Sequence, residues 1–379
     1  MIQFILNNQT IFTDLPIGTT VLDFVRYHKN LKGTKIGCRE GDCGACTILV
    51  GELKGDSVKY RTMTSCLMPI GNAQGKHIVT VEGINRENGE LTPVQQAIID
   101  ESGTQCGFCT VGFVMSLTNF CIDDSPKTKE SAISAIDGNI CRCTGYKSLE
   151  RACVLVSEEC GVWSEEIVPK YFSEINIRLR ELQGNIHPSS LIPHLSNIVA
   201  GGTDLYVQKH EEMVHAEASH ILFDNELRTI TETAEFVELG ASVVVTDLLE
   251  SEIFNRLFPT LYKHLKLVSS TPIRNMATLG GNFVNASPIG DMTAWFLALD
   301  AEIEFNNGRS LPLKDFYLGY KQMNKAEDEM ITKIRFKKDF THFNFEKVCK
   351  RTYLDIASVN TAIALSVSDK TINHAHVSI

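Results

Sequence analysis

The sequence contains no G-x-G anywhere in its 379 residues, whereas a Rossmann dinucleotide domain needs G-x-G-x-x-G at its first strand-to-helix turn. That fold is therefore not expected. No apolar run approaches the roughly 18 residues of a membrane-spanning helix, and the Met1 to Leu6 start lacks the basic segment of a secretory signal. The expectation is a cytoplasmic protein with no membrane partner. There is no polybasic block, and the formal net charge is -10, which argues against nucleic acid or an anionic surface as partner. The zincin-like string His210-Glu211-Glu212-Met213-Val214-His215 is one residue too long to place its histidines at i, i+4, and reads as a solvated helix face.

Cysteine is plentiful: of 12, eight fall within the first 143 residues, in two quartets. Cys38, Cys43, Cys46 and Cys66 form C-x4-C-x2-C with a fourth thiol after a gap of nineteen residues, the spacing that plant-type ferredoxins use around a 2Fe-2S rhomb. The glycines of Gly37-Cys38-Arg39-Glu40-Gly41-Asp42-Cys43-Gly44-Ala45-Cys46 suit a backbone that curls tightly and aims amides at sulfur. Structural zinc usually takes two C-x2-C pairs, which this spacing fits poorly. A reducing cytosol disfavours disulfides.

The second quartet, Cys106, Cys109, Cys141 and Cys143, is C-x2-C, a gap of 31 residues, then C-x-C. Spacing alone leaves iron-sulfur and zinc both open there. Thr92-Pro93 predicts the start of a helix running through Ile99, with Gly103 to stop it. Phe113, Val114, Leu117 and Phe120 give a second helix an apolar face, so Cys106 and Cys109 stand where amide dipoles stabilise thiolates. Cys141 and Cys143 precede a further helix from about Ser148 to Glu159. Cys121, Cys153, Cys160 and Cys349 are scattered and read as ordinary thiols.

Length and a hydrophobic content of 43% allow about two to three domains. Short apolar strands near Gln3 to Leu6, Thr47 to Val50 and Ile78 to Val81, with a helix near Val21 to Tyr27, predict a small sheet over residues 1–84. Residues 85–160 read as helical. Residues 161–190 read as a linker interrupted by Glu165, Glu166, Pro169, Gly184 and Pro188, with a further domain beginning near Ser190 and spanning 191–340. In it the strand Ile198-Val199-Ala200 runs into Gly201-Gly202-Thr203-Asp204, a turn able to hold phosphate on free amides. Thr278-Leu279-Gly280-Gly281-Asn282 and Asn285 to Asp291 gather small and polar residues suited to close contact with a dinucleotide.

The stretches GCREGDCGACT, CGFCTVGF and NICRCTGY resemble the paired 2Fe-2S domains of the molybdenum hydroxylases, the xanthine dehydrogenase and aldehyde oxidase group. The resemblance continues into a flavin domain and covers essentially the whole chain. Its order, two clusters and then FAD, is similar to the small subunit of two-subunit xanthine-oxidising members. It implies an α+β multidomain fold: a plant-type ferredoxin-like β-grasp domain, a four-helix 2Fe-2S domain, an α+β FAD-binding domain of the PCMH type, and a truncated C-terminal flavin subdomain over 341–379. The start of that last subdomain resembles Arg351 to Leu365, and the stop at Ile379 reads as a truncation.

By the same resemblance, the two quartets ligate two 2Fe-2S clusters. Asn197, Ile198, Val199, Ala200, Gly201, Gly202, Thr203 and Asp204 would line the FAD diphosphate and ribityl chain. Thr278, Gly281, Asn282, Asn285 and Asp291 would contact ribityl, phosphate and adenosine groups. Lys347 would lie near the isoalloxazine, with Val268 and Ile331 making apolar contacts. Two departures stand out: Val111 where many relatives have proline, and Asn285 where some have threonine. The resemblance further implies a molybdopterin-binding large subunit, in a dimer of heterodimers, that oxidises hypoxanthine to xanthine to urate. Electrons would pass to the Cys106 to Cys143 cluster, then the Cys38 to Cys66 cluster, FAD and NAD, with Gln105 and Cys143 facing the pterin. A sister hydroxylase for aldehydes or N-heterocycles and, outside enzymes, a zinc-stabilised scaffold are the alternatives.

Overall fold

The computed structural model describes residues 1–86, 88–161, 167–184, 197–351 and 354–379. Glu165, Glu166, Pro188 and Ser190, and the boundary at 190, lie outside them. The chain forms two compact units: Met1–Ile192 with Gly202–Glu217 and Thr271–Ile273, and Pro193–Gly201 with Ala218–Ser270 and Arg274–Ile379.

The first unit is built on a five-stranded sheet in the order Gln9–Thr13, Ile2–Leu6, His77–Val79, Thr47–Lys54, Ser57–Thr64. Ile2–Leu6 and His77–Val79 run parallel, with Ile5 opposite His77, and the two outer pairs are antiparallel hairpins. The third strand ends at Val79, short of the predicted end at Val81, because Thr80 leads into a helical turn, Val81–Ile84. Thr20 caps the helix Val21–Asp23 by accepting from the Asp23 amide, and the chain continues as a π-helical turn, Phe24–His28. Its buried face puts Phe24 edge-on to Phe4, ring centroids 5.4 Å apart. This is the ferredoxin-like half of the expected fold.

The segment read as a linker contains a helix, Ile175–Gly184. Ile175, Leu179 and Leu182 share one face and pack with Ile5, so three apolar positions at helical spacing seat it on the sheet. Beside it His77 is buried. Tyr60 Oη donates to its Nδ1 (2.7 Å) and Nε2 donates to Asn7 O (2.9 Å), and burial holds its pKa down at about 3.

Four helices follow: Pro93–Asp100, Thr110–Ile122, Lys129–Ala135 and Lys147–Glu159. Thr92 and Gln95 make a reciprocal capping box with Pro93 at the first position. The residue that turns the chain out of this helix is Ser102, at φ 55°, one before the predicted Gly103, whose amide closes the turn onto Ile98 O at 2.7 Å. Phe113, Leu117 and Phe120 pack with Val94, Ile98, Leu149 and Val156 in one core.

The second unit carries an antiparallel sheet in the order Ser310–Pro312, Glu302–Phe305, Ile331–Lys337, Phe236–Gly240, Ile230–Glu232. Helices including Leu279–Asn285 and Asp291–Ala298 cover it, with Phe254, Phe258, Phe283, Trp295, Phe296 and Phe336 in the core. A three-stranded sheet, His342–Val348, Val359–Ser368 and Thr371–Ser378, follows. A short parallel pair joins Ile198–Val199 to Ser219–His220. The whole is the α+β multidomain architecture that the sequence predicts. Among the described residues no helix is long and apolar enough to cross a membrane.

Candidate redox and flavin sites

The loop around Cys38 turns through three left-handed residues, Arg39 (φ 59°), Gly41 (φ 83°) and Gly44 (φ 68°). This curl points amides at sulfur: Glu40 N and Cys43 N donate to Cys38 Sγ at 3.3 and 3.4 Å, and Cys38 N donates to Cys43 Sγ at 3.5 Å. At Gly37 a Cβ would lie 2.5 Å from Cys43 Sγ, so only glycine leaves the sulfur its room. Cys46 and Cys66 are buried. Their thiols hydrogen-bond to each other, which lowers the pKa of Cys46 and raises that of Cys66. The other pair behaves alike: the Cys43 contact brings Cys38 down to about 5, and Cys43 is raised by the same contact. The quartet is thus two thiol pairs, Cys38 with Cys43 and Cys46 with Cys66.

The second quartet repeats this arrangement nearer solvent. Cys109 is the N-cap of Thr110–Ile122, and Cys106 and Cys143 are exposed with their sulfurs 3.6 Å apart. Cys109 pairs with Cys141; burial, reinforced by that contact, raises Cys109 to about 12. For Cys141 burial acts upward, yet hydrogen bonds from the Thr144 hydroxyl and amide bring its thiol below the ordinary value. The Tyr146 hydroxyl accepts from Cys141 N at 2.9 Å, and the loop turns through Gly145 and Tyr146, both at positive φ. Among the described residues no group of three or more His, Cys, Asp or Glu side chains gathers around one metal position.

Hydrogen bonds tie the two loops together within this unit. Ile140 N, next to Cys141, donates to Cys43 O at 3.0 Å, and Asn139 Nδ2 donates to Gly44 O at 3.2 Å. Gly44 and Gly112 meet closely: a Cβ on Gly112 would lie 2.2 Å from Gly44 O, and one on Gly44 would lie 2.2 Å from Gly138 O. Gly44→Ala is therefore expected to strain both loops, through its positive φ and this clash, at a cost of about 1–3 kcal/mol. Iron analysis checks it: the variant should retain less iron and sulfide than the parent and melt at a lower temperature.

In the second unit, Thr278 caps Leu279–Asn285, its hydroxyl accepting from Gly281 N at 3.2 Å. The two glycines there differ in role. A Cβ on Gly280 would meet Ala241 at 2.9 Å, whereas one on Gly281 would meet only Thr278 Oγ1, so Gly280 serves packing and Gly281 leaves an open approach to the helix start. Asn282 Oδ1 accepts from Thr293 N (3.1 Å) and Thr293 Oγ1 (3.2 Å), and Asn285 Oδ1 accepts from Lys321 Nζ at 3.0 Å. Val268 and Ile331 lie in the core, 5% and 3% exposed. Asn197–Gly201 belongs to this unit, whereas Gly202, Thr203 and Asp204 belong to the first.

Lys347 is no solvated strand lysine. Its side chain is 2% exposed, and Nζ donates to Asp291 Oδ2 (2.7 Å) and Leu267 O (2.9 Å). Asn360, which the sequence did not single out, completes the site by donating from Nδ2 to Asp291 Oδ1 at 2.8 Å and to Ile289 O at 3.2 Å. Within the second unit the Gly281 amide is thus engaged by the Thr278 hydroxyl, and the Lys347 ammonium by Asp291 and Leu267 O.

The chain matches three family descriptions: "2Fe-2S iron-sulfur cluster binding domain" over residues 4–71, "2Fe-2S binding domain" over 80–154, and "FAD binding domain in molybdopterin dehydrogenase" over 193–336. It is 27% identical to a xanthine dehydrogenase of Oryza sativa subsp. japonica over 93% of this chain, and 28% identical to one of Emericella nidulans over 97%. It is also 28% identical to an aldehyde oxidase 2 of Macaca fascicularis over 79%. The chain spans 33%, 33% and 28% of the length of these three. A carbon monoxide dehydrogenase structure from Hydrogenophaga pseudoflava overlaps 50% of this chain and 67% of its own, at TM-score 0.43 and 29% identity. With two 2Fe-2S domains followed in order by the FAD-binding domain, and xanthine dehydrogenases aligned along nearly its whole length, the chain belongs to the molybdenum hydroxylase family as an iron-sulfur and flavin module.

Proposed function

We propose that this chain is the electron-transfer subunit of a cytoplasmic, NAD-dependent xanthine dehydrogenase, working with a molybdopterin-binding large subunit. Cys38, Cys43, Cys46 and Cys66 would hold one 2Fe-2S cluster, and Cys106, Cys109, Cys141 and Cys143 the other. The observation that carries this is the division of each quartet into two thiol pairs, which suits two irons better than one zinc. In the second unit Asn197 to Gly201, Thr278, Gly281, Asn282, Asn285, Asp291 and Lys347 would receive FAD, with Val268 and Ile331 as apolar contacts. Domain limits at 1–84, 85–160, 191–340 and 341–379 belong to the same reading.

Clusters supply single-electron steps, and a flavin couples them to the hydride that nicotinamide accepts. The protein's part is to fix the thiolates and keep their charge on sulfur, through amide hydrogen bonds to Cys38 and Cys141. The exposure of Cys106, Cys143 and Gln105 favours the second quartet as the side turned to the partner subunit. Likeness to an aldehyde oxidase supports a second reading, the same module serving an aldehyde or N-heterocycle hydroxylase.

An anaerobic NADH titration of the FAD-supplemented protein tests this. Flavin bleaching followed by two distinct EPR signals is expected. A colourless, folded, zinc-loaded protein would overturn the redox reading, and bound but unbleached flavin would overturn NAD as acceptor.

A further inference from the structure

Arg39 is the only cation between Cys38 and Cys46, and its side chain turns back on a specific partner. Its guanidinium forks onto Asp23, with Nη1 to Oδ2 at 3.1 Å and Nη2 to Oδ1 at 2.5 Å. The two side chains are 33% and 19% exposed, so solvent screens them only in part. Asp23 is itself held in place, since its amide donates to the Thr20 cap and its Oδ2 accepts from Thr20 Oγ1 at 2.9 Å. His210 Nε2 stands 3.9 Å from the same oxygen, at the start of a helix whose Glu211, Glu212 and His215 are exposed as the sequence predicted. Burial acts against ionisation of Asp23, but hydrogen bonds from Arg39 and Thr20 still hold its carboxyl below the usual range. The Asp23 hydrogen bond raises Arg39. Arg39 follows Cys38 directly in the chain and is itself one of the left-handed residues of the cysteine loop.

We propose that Asp23 and Arg39 form a charge pair that sets the reduction potential of the centre held by Cys38, Cys43, Cys46 and Cys66. This rests on reading that quartet as a 2Fe-2S site. Reduction adds one electron there, and a neighbouring positive charge stabilises the reduced state while a negative one opposes it. Arg39 is next to Cys38 in the chain, and its guanidinium is held there by the Asp23 fork. Asp23 is the positioning residue that fixes the fork and offsets part of its charge.

The test is an EPR-monitored redox titration of the iron- and sulfide-loaded full chain, for the parent, Arg39→Gln, Arg39→Lys, Asp23→Asn and the Asp23→Asn/Arg39→Gln double variant. The midpoint of the first-quartet signal should fall in Arg39→Gln, rise in Asp23→Asn and return toward the parent in the double variant. Arg39→Lys loses the fork but keeps the charge, and should stay near the parent. Added salt should shrink the spread between the single variants, because the pair is partly exposed. The second-quartet midpoint is the internal control and should hold still. Equal midpoints in Arg39→Gln and Arg39→Lys, shifts of one sign in Arg39→Gln and Asp23→Asn, or loss of the cluster in both Arg39 variants would make the pair a structural latch and overturn the proposal. A parent without a first-quartet signal would instead sink the cluster assignment beneath it.

Discussion

Cys43→Ser abolishes or alters the EPR signal of one cluster and leaves the other in place. Cys43 is the thiol that Cys38 faces, and it accepts the Cys38 amide at 3.5 Å. Serine keeps the backbone, so Cys43 O still receives Ile140 N and the link between the two loops persists. What is lost is one thiolate of four, and a hydroxyl is a poor replacement for a soft sulfur ligand. Iron content should fall by as much as about half, since a 2Fe-2S site stands or falls as one unit. Cys153→Ser is the matched control. Cys153 is buried and its pKa is raised to about 12 by that burial, so it should cost some stability and leave both signals unchanged. Loss of both signals in Cys43→Ser would mean that the quartets do not form separate centres.

The sites were legible in the sequence to different depths, for physical reasons. Cysteine spacing is a local property of the chain, so the loop at Cys38 and the helix start at Cys109 could be read directly. The same holds for Thr92, Pro93 and Gln95, whose capping chemistry spans four consecutive positions. Strands Gln9–Thr13 and Ser57–Thr64 escaped, because both are edge strands without clean apolar alternation: the first is mostly exposed and the second is Ser, Lys, Arg and Thr at most of its positions. The helix Ile175–Gly184 escaped because only three of its residues are buried among polar neighbours. Least legible were side-chain partnerships across long separations. Nothing near Arg39 names Asp23, and nothing near Asp291 names Asn360, since tertiary packing alone brings them together. Lys347 illustrates the difference: its position in the sequence suggested a contact to flavin, and the structure adds that it already has an acidic partner inside the second unit.

That partnership gives the other large effect: Lys347→Met is expected to lower the melting temperature of the second unit and its retention of FAD while the iron content stays at the parent level. The Lys347 and Asp291 side chains are 2% and 12% exposed, 2.7 Å apart. Removing one member of a buried pair strands the other charge, at about 3–5 kcal/mol, or roughly 10 °C for a unit of this size. Asn360 softens the loss, because its Nδ2 still donates to Asp291 Oδ1. Asp291→Asn should also be costly, since it leaves a buried ammonium with no negative charge beside it, only Leu267 O and a neutral amide oxygen as acceptors. The Lys347→Met/Asp291→Asn double variant should cost less than the sum of the singles, because neither charge is then left alone. Calorimetry gives the coupling, and the flavin-to-protein ratio after gel filtration gives the binding effect. Additive melting shifts would show that the pair contributes little to stability. FAD retained at the parent level in Lys347→Met, despite a lowered melting temperature, would remove Lys347 from the flavin site and leave it a structural ion pair.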